Sequence, residues 1–152
     1  MAHYFMDSSA LVKRYMIELG SDWVEALCLD ADHTIMLAEI TLAEVASTFA
    51  RAARGRRITT EQRVEFLDLF TTDCDDIYQL LPINRLLIDR AVALAQRHFL
   101  RGYDAMQLAC ASRANELLVE RELPPLVFVT ADQALLAAAT QEGLTSENPN
   151  DH

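Results

Sequence analysis

The amino-acid sequence predicts an α/β fold, a three-layer α/β/α sandwich around a central, mainly parallel sheet. Short apolar segments typical of strands alternate with longer segments of helical periodicity along the 152 residues. Strands that are separated by helices pair in parallel, because the chain must cross back over the sheet before the next strand begins. No internal repeat, low-complexity tract or Gly/Ser/Pro-rich linker divides the sequence. We therefore expect a single domain over residues 1–152.

Four apolar segments are predicted to form strands, because each is short and rich in aliphatic or aromatic residues. In chain order they are His3–Met6, Thr34–Leu37, Ile77–Pro82 and Leu126–Val129. The last segment is the clearest, since it is fully apolar and follows a turn at Pro124-Pro125. The tail beyond Leu144 is expected to hold one short edge strand.

The segments between the strands carry helical signals. Helices are predicted through residues 8–16, over Asp22–Leu29, Thr41–Arg54 and Thr59–Phe70, from Asn84 to about Phe99, from Tyr103 to about Val119, and through Leu135 to Gly143. Ser8 or Ser9 is expected to cap the first helix. The segment that begins at Thr59 resembles a capping box, and Asn84 is expected to be an N-cap. Gly102 marks a break between two helices.

Composition and charge limit the classes of protein that fit. The hydrophobic share of 51% and the charged share of 24% are typical of a globular domain. No apolar run approaches the roughly 20 residues that span a bilayer, and residues 1–15 lack the pattern of a signal peptide, so we expect a cytoplasmic protein. A net charge of −10 argues against a protein that coats nucleic acid, but not against an enzyme that binds metal through carboxylates.

Two groups of residues are interpreted as structural. The cysteines are three in number, form no CxxC pair, and argue against both a disulfide framework and a zinc site; they are Cys28, Cys74 and Cys110. Cys28 and Cys110 lie on apolar helical patterns and are expected to be buried. The acidic run Asp73, Asp75 and Asp76 is expected to lie in a solvated turn rather than to bind a cation.

Four acidic residues stand at the ends of predicted elements or on a helix face that should be apolar. Asp7 directly follows the first strand, and Asp132 follows the Leu126–Val129 strand. If both strands are central and parallel, their carboxyl ends share one edge of the sheet. Asp104 opens a helix, where the helix dipole stabilises a carboxylate. Glu44 lies one turn into its helix among apolar residues, where a carboxylate is costly unless it has a partner.

The joint placement of these acids favours a metal site. Four carboxylates at one edge repel one another unless cations neutralise them, and hard oxygen ligands without Cys or His favour Mg²⁺ or Mn²⁺. Such a site suits hydrolysis of a phosphodiester, since metal activates the attacking water and stabilises the leaving oxygen. Taken singly, each acid also has a structural explanation: Asp7 and Asp132 as helix caps, Asp104 as a helix-start residue, and Glu44 as a side chain that reaches solvent.

Four segments of the sequence resemble the signature blocks of VapC-like PIN-domain toxins, in the expected order over nearly the whole chain. They are Met6–Lys13, Thr41–Val45, Leu100–Ala109 and Val129–Ala139, followed by the tail with Gly143-Leu144 and Asn148-Pro149. The resemblance implies that residues 1–152 form a single PIN domain. It further implies a Mg²⁺-dependent ribonuclease, with Mn²⁺ as a substitute, that forms a homodimer and is silenced by a cognate antitoxin.

The resemblance also assigns candidate roles to individual residues. The family's acidic, metal-binding positions correspond to Asp7, Glu44, Asp104 and Asp132, and its supporting hydroxyl positions correspond to Ser9 and Thr130. No acid is missing, so nothing in the sequence indicates an inactive enzyme.

Several alternative functions stay open. PIN domains also serve in RNA processing without an antitoxin. An aspartate-nucleophile phosphatase would use Asp7, but the second Asp expected two residues later is replaced by Ser9. A response-receiver module needs a late Lys, and the sequence has no Lys after Lys13. A subunit that kept the fold without turnover is distinguished only by an activity assay.

Two further features predict surfaces for partners. The basic cluster Arg51, Arg54, Arg56 and Arg57 contacts either RNA phosphates or acidic segments of an antitoxin, or is a solvated helix end. The helices Thr41–Arg54 and Thr59–Phe70 carry more apolar positions than one sheet face buries: Phe49, Val64, Phe66, Leu67 and Phe70. We therefore expect an inhibitor to lay an amphipathic helix between them and to send an Arg into the carboxylates.

Overall fold

The computed structural model describes all 152 residues, and at its centre five strands form one sheet in the order β3-β2-β1-β4-β5. The strands are β1 (Ala2–Met6), β2 (His33–Ala38), β3 (Tyr78–Leu81), β4 (Val127–Val129) and β5 (Thr145–Glu147). Every pairing between neighbouring strands is parallel. The predicted parallel sheet is confirmed, and β5 is the edge strand that was expected in the tail.

Seven helices connect the strands. They are α1 (Ser8–Leu11), α2 (Ser21–Leu29), α3 (Ile40–Arg54), α4 (Thr60–Asp76), α5 (Arg85–His98), α6 (Gly102–Glu120) and α7 (Gln133–Gln141). The first predicted helix is shorter than expected, because α1 passes into a 3₁₀ turn at Val12–Arg14. Helix α4 is longer than expected and continues to Asp76. None of these helices is both long enough and apolar enough to cross a membrane.

The sheet separates two hydrophobic cores, because successive side chains of a strand point to opposite faces. Phe5 and Phe128 lie in the core that packs against α5, α6 and α7, with ring centroids 5.8 Å apart. Met6 and Val129 lie in the opposite core, which packs against α1, α2, α3 and α4. The three-layer α/β/α architecture predicted from the sequence is therefore confirmed.

Capping residues define where α4 and α5 begin. Thr59 accepts a hydrogen bond from the backbone N–H of Gln62, and the Gln62 side chain accepts one from the backbone N–H of Thr59. This is the capping box predicted from the sequence. Asn84 accepts a hydrogen bond from the backbone N–H of Leu87 and caps α5, as predicted.

The prediction of a solvated turn at Asp73 is wrong. Asp73 lies in the last turns of α4 and is buried, whereas Asp75 and Asp76 are exposed. The Asp73 carboxylate accepts hydrogen bonds from Arg14 Nε at 3.1 Å and from the Tyr15 hydroxyl at 2.7 Å. A buried carboxylate needs such partners, and these come from the 3₁₀ turn and the residue that follows it.

All three cysteines are buried and none forms a disulfide. The predicted burial of Cys28 and Cys110 is confirmed. Burial raises the pKa of each thiol to about 11, so the thiolate form is rare near neutral pH.

The order of the strands positions a crevice at the middle of the sheet. The chain proceeds from β1 to β2 and β3 on one side, then returns to place β4 on the other side of β1. A crevice opens at such a switch point, beyond the carboxyl ends of the strands. Met6 and Val129 pair in register at these ends, so the next residues, Asp7 and Thr130, are neighbours.

Candidate active site

Asp7 lies at the switch point and accepts three hydrogen bonds. Its Oδ2 accepts from the Thr130 hydroxyl at 2.6 Å, and its Oδ1 accepts from the Ser9 hydroxyl at 2.7 Å. Oδ1 also accepts from the backbone N–H of Ala10 at 3.0 Å, which makes Asp7 the N-cap of α1. The expectation that Ser8 or Ser9 caps this helix is therefore wrong, because the carboxylate itself reaches the free N–H.

Backbone donors fix the two hydroxyls that hold Asp7. The N–H of Ala131 donates to Ser9 Oγ at 2.9 Å, and the N–H of Asp132 donates to Thr130 Oγ1 at 3.1 Å. A hydroxyl that accepts from a backbone N–H keeps its own proton for another acceptor. Ser9 and Thr130 therefore both turn their protons toward the carboxylate of Asp7.

The environment of Asp7 disfavours its charged form when no cation is present. Burial raises the pKa of Asp7 to about 6, and the hydrogen bonds from Thr130, Ser9 and Ala10 only partly oppose this effect. The negative charge of Glu44 raises the pKa further. A cation placed nearby would reverse this balance.

Glu44 is half-buried on α3 and is held by donors from two other helices. The Gln107 amide donates to Oε1 at 2.7 Å, and the Ser8 hydroxyl donates to Oε2 at 3.1 Å. The sequence predicted that this carboxylate needs hydrogen-bond partners, and residues of α6 and α1 supply them. Neither donor had been assigned this role from the sequence.

Asp104 and Asp132 occupy the starts of two helices. Asp104 lies in the first turn of α6, and Asp132 caps α7 by accepting from the backbone N–H of Leu135 at 2.9 Å. Burial raises the pKa of Asp104, and the charges of Asp132 and Glu44 raise it as well. The Arg101 guanidinium opposes this shift. The negative charges of Asp132 and Glu44 are therefore close enough to Asp104 to disfavour its ionisation.

One cavity of about 380 Å³ joins these side chains at the carboxyl edge of the sheet. Its wall is formed by Ser8, Ala43, Glu44, Ser47, Thr48, Arg51, Arg101, Tyr103, Asp104 and Asp132. Asp7 is not part of the wall; it is only 3% exposed and is linked to the cavity through its electrostatic coupling to Glu44. The structure thus brings three of the four predicted acids to one cavity and the fourth close to it.

The family model for the PIN domain matches residues 4–140. The chain belongs to the PIN-domain family. Members of this family are nucleases and generally use divalent metal ions. A comparison of this PIN domain with curated proteins finds no match.

Solved structures share the fold at low sequence identity. VapBC2 from Rickettsia felis, bound to a DNA fragment from its promoter, is 16% identical with a TM-score of 0.64, over 96% of this chain and 98% of that one. FitAcB from Neisseria gonorrhoeae is 15% identical with a TM-score of 0.65, over 96% and 97% of the two chains. A toxin–antitoxin complex from Klebsiella pneumoniae is 19% identical with a TM-score of 0.52, over 85% and 86%.

The donor set of this PIN domain fits a divalent metal in chemistry, although the side chains are not arranged around one. No three Asp, Glu, His or Cys side chains stand where together they would hold a metal ion. Asp7, Glu44 and Asp132 instead accept hydrogen bonds from hydroxyl, amide and backbone donors. The ligands on offer are all carboxylate oxygens, which suit Mg²⁺ or Mn²⁺, and their mutual repulsion is what a cation relieves.

Cationic and aromatic side chains surround the acids of the PIN domain. Arg51 and Arg101 line the cavity, as does Tyr103, whose side chain is 61% exposed. Of the basic cluster predicted from the sequence, only Arg51 reaches the cavity; Arg54, Arg56 and Arg57 are exposed outside it. The sequence analysis did not place Arg101 and Tyr103 at the cavity, although both lie in a segment that carries the family resemblance.

Proposed function

We propose that this PIN domain is a divalent-metal-dependent endoribonuclease and the toxin of a toxin–antitoxin pair, acting in the cytoplasm. The observation that carries the nuclease chemistry is the cavity at the switch point, which Glu44, Asp104 and Asp132 line beside buried Asp7. Carboxylates at such a density favour a bound cation, and the family supplies the reaction class.

Asp7, Glu44, Asp104 and Asp132 are the proposed metal ligands. Mg²⁺ bound there, or Mn²⁺ in its place, would supply an activated water and stabilise the charge that develops on the phosphodiester. Ser9 and Thr130 orient the carboxylate of Asp7 through their hydroxyl protons. The two hydroxyls thus act on the proposed metal ligand Asp7 rather than on the substrate.

Substrate binding is assigned to the cationic and aromatic side chains of the cavity. Arg51 and Arg101 attract the phosphates of a nucleic acid toward a cavity whose acids would otherwise repel them. Tyr103 offers an exposed ring on which an unpaired base stacks, which favours single-stranded segments. The choice of RNA over DNA rests on the resemblance of the four sequence segments to VapC-like toxins.

The proposed antitoxin binds across α3 and α4. A structural neighbour of this chain is a toxin–antitoxin complex, which supports a partner of this kind. The expectation from the sequence that Phe49 and Phe70 help to mark the partner surface is wrong, because both are buried in the chain's own core. Val64 and Leu67 of α4 are 48% and 36% exposed and remain as apolar contacts for an antitoxin helix.

The proposed homodimer is supported by a different surface, the exposed apolar groove between α5 and α6. Ile88 and Val92 lie one turn apart on α5, line this groove, and are 44% and 59% exposed. Exposed apolar side chains in one region mark protein-interaction sites. Light scattering of the purified protein tests the proposed homodimer, and the expected mass is that of two chains.

The proposed function is tested in cells and with purified protein. Sequencing of RNA ends after brief induction of the wild type should reveal new, defined 5′ ends that are absent after induction of Asp7→Asn. Purified protein should cleave RNA in Mg²⁺ and should be inactive in EDTA. Cleavage that persists undiminished in excess EDTA would remove the metal from the mechanism.

A further inference from the structure

Gln107 is a buried polar residue in an apolar part of α6. Its side chain is 1% exposed, and the next two residues, Leu108 and Ala109, are fully buried in the hydrophobic core. The Gln107 amide nitrogen donates to Thr41 Oγ1 at 2.8 Å and to Glu44 Oε1 at 2.7 Å. Side-chain hydrogen bonding between α3 and α6 therefore passes through this one amide group.

The chemistry of the carboxylate fixes which way this amide points. The amide nitrogen must face Glu44, because Oε1 of Gln107 in that place would set two acceptors against each other. In this orientation Gln107 Oε1 is buried without any hydrogen-bond partner. A buried acceptor without a partner costs stability, and an apolar residue at position 107 would avoid that cost. The unpaired oxygen therefore accompanies the placement of an amide donor beside Glu44.

The position of Gln107 relates two of the candidate metal ligands. Asp104 and Gln107 lie three residues apart on α6, so their side chains share one face of the helix. Helix α6 thus carries one acid of the cavity and also the donor that holds the acid of α3. Ser8 binds the other oxygen of Glu44. Each carboxylate oxygen has a second lone-pair direction, which these bonds leave free for a metal.

We propose that Gln107 is a positioning residue that holds the Glu44 carboxylate at the cavity wall and thereby sets the affinity of the site for divalent metal. The proposal rests on the proposed function, because it takes Glu44 as a metal ligand. Gln107 itself contacts neither metal nor substrate. Loss of a group that orients a metal ligand typically weakens metal binding by about 10–100-fold.

The test is the affinity for Mn²⁺, measured by isothermal titration calorimetry on the purified full chain. Gln107→Met keeps the length of the side chain but removes both donors, and Gln107→Asn keeps the amide but is too short to reach Thr41 and Glu44 together. Leu108→Val is the matched control, since it disturbs the neighbouring buried position without touching the hydrogen bonds. Thermal melts in EDTA report the stability of each variant, and cleavage assays at varied Mn²⁺ separate metal affinity from turnover.

We expect both Gln107 variants to bind Mn²⁺ at least about 10-fold more weakly than the wild type. Cleavage at saturating Mn²⁺ should fall much less, and the melts in EDTA should show both Gln107 variants folded at the temperature of the titration. Leu108→Val should lose stability and keep its Mn²⁺ affinity. Wild-type affinity in a folded Gln107→Asn or Gln107→Met overturns the proposal. A wild type that binds no Mn²⁺ instead overturns the proposed metal-dependent function, so the two failures are distinct.

Discussion

The Thr130 hydroxyl donates to the Asp7 carboxylate at 2.6 Å across a separation of 123 residues in sequence. The bond exists because β1 and β4 pair in register and end side by side at the switch point of the sheet. Residues from opposite ends of the chain therefore meet only when the central strands have paired. The candidate site therefore depends on the pairing of β1 with β4.

The first prediction concerns the charge of Asp7. Its pKa is about 6 in the folded protein, above the value of 3.8 for a free carboxyl, so without metal its ionisation at neutral pH opposes folding. The stability of the wild type in EDTA should therefore fall as pH rises from about 4 to 6. Asp7→Asn removes that charge and should raise the unfolding free energy at pH 7 by about 1–2 kcal/mol while abolishing cleavage.

Circular-dichroism melts in EDTA, paired with cleavage assays in Mg²⁺, measure both effects. The same melts at pH 4 are the control, because wild type and variant should differ less where Asp7 is already protonated. Full cleavage activity in Asp7→Asn would remove Asp7 from the site.

The second prediction concerns the hydroxyl that holds Asp7. Thr130→Val keeps the shape of the side chain but leaves one oxygen of a buried carboxylate without its donor. We expect a loss of about 1–3 kcal/mol in unfolding free energy and a lower rate of cleavage. Thr140→Val is the matched control, since the Thr140 hydroxyl is exposed and bonds only within α7. Equal urea midpoints for the two variants would contradict the role of Thr130.

The parallel sheet and the place of two acids could be predicted because both follow from local patterns. Strand segments that alternate with helices predict parallel pairing, and Asp7 and Asp132 come just after predicted strands. Glu44 could be predicted because a carboxylate is expensive on an apolar helix face. The same argument would have identified Gln107, which stands among apolar residues of α6.

What the sequence could not supply is the identity of partners that lie far along the chain. Asp73 belongs to an acidic run that is typical of a solvated turn, but Arg14 and Tyr15 fold back onto it. Arg51 and Arg54 belong to one basic cluster, yet only Arg51 lines the cavity, because the cavity runs along α3 from Ala43 to Arg51 and Arg54 lies further along the helix. Such differences depend on tertiary contacts that no local pattern encodes.

The third prediction concerns these buried charges of Asp73 and Arg14. Both side chains are less than a tenth exposed, so removal of one partner leaves the other charge buried and unpaired. Asp73→Ala should lower the unfolding free energy by about 3–5 kcal/mol. Asp75→Ala, two residues further along α4 and at an exposed position, should change it little. Urea denaturation measures both, and comparable midpoints would argue against a structural ion pair.

The fourth prediction concerns the metal. Mn²⁺ and Mg²⁺ should raise the melting temperature of the wild type, because a ligand that binds only the folded state stabilises it. The rise should be lost in Glu44→Gln and in Asp104→Asn, which remove candidate ligands. Zinc should not support cleavage, since the site offers carboxylates without Cys or His. A metal-induced shift of the same size in both variants would place the metal elsewhere.

The fifth prediction concerns how nucleic acid reaches the acids of the cavity. Arg101 lines the cavity beside Asp104, whereas Arg57 is exposed and lies outside it. If Arg101 contacts a phosphate of the substrate, Arg101→Ala should raise KM for RNA and make KM less sensitive to salt, because one fewer counterion is released on binding. Arg57→Ala is the matched control, because it removes the same charge at a site outside the cavity. It should leave KM and its salt dependence close to those of the wild type. Cleavage measured between low and moderate salt gives both values for each variant. Identical salt dependences of Arg101→Ala and the wild type would show that Arg101 does not contact the substrate backbone, and Arg51 would then be the cation of the cavity to test next in the same way.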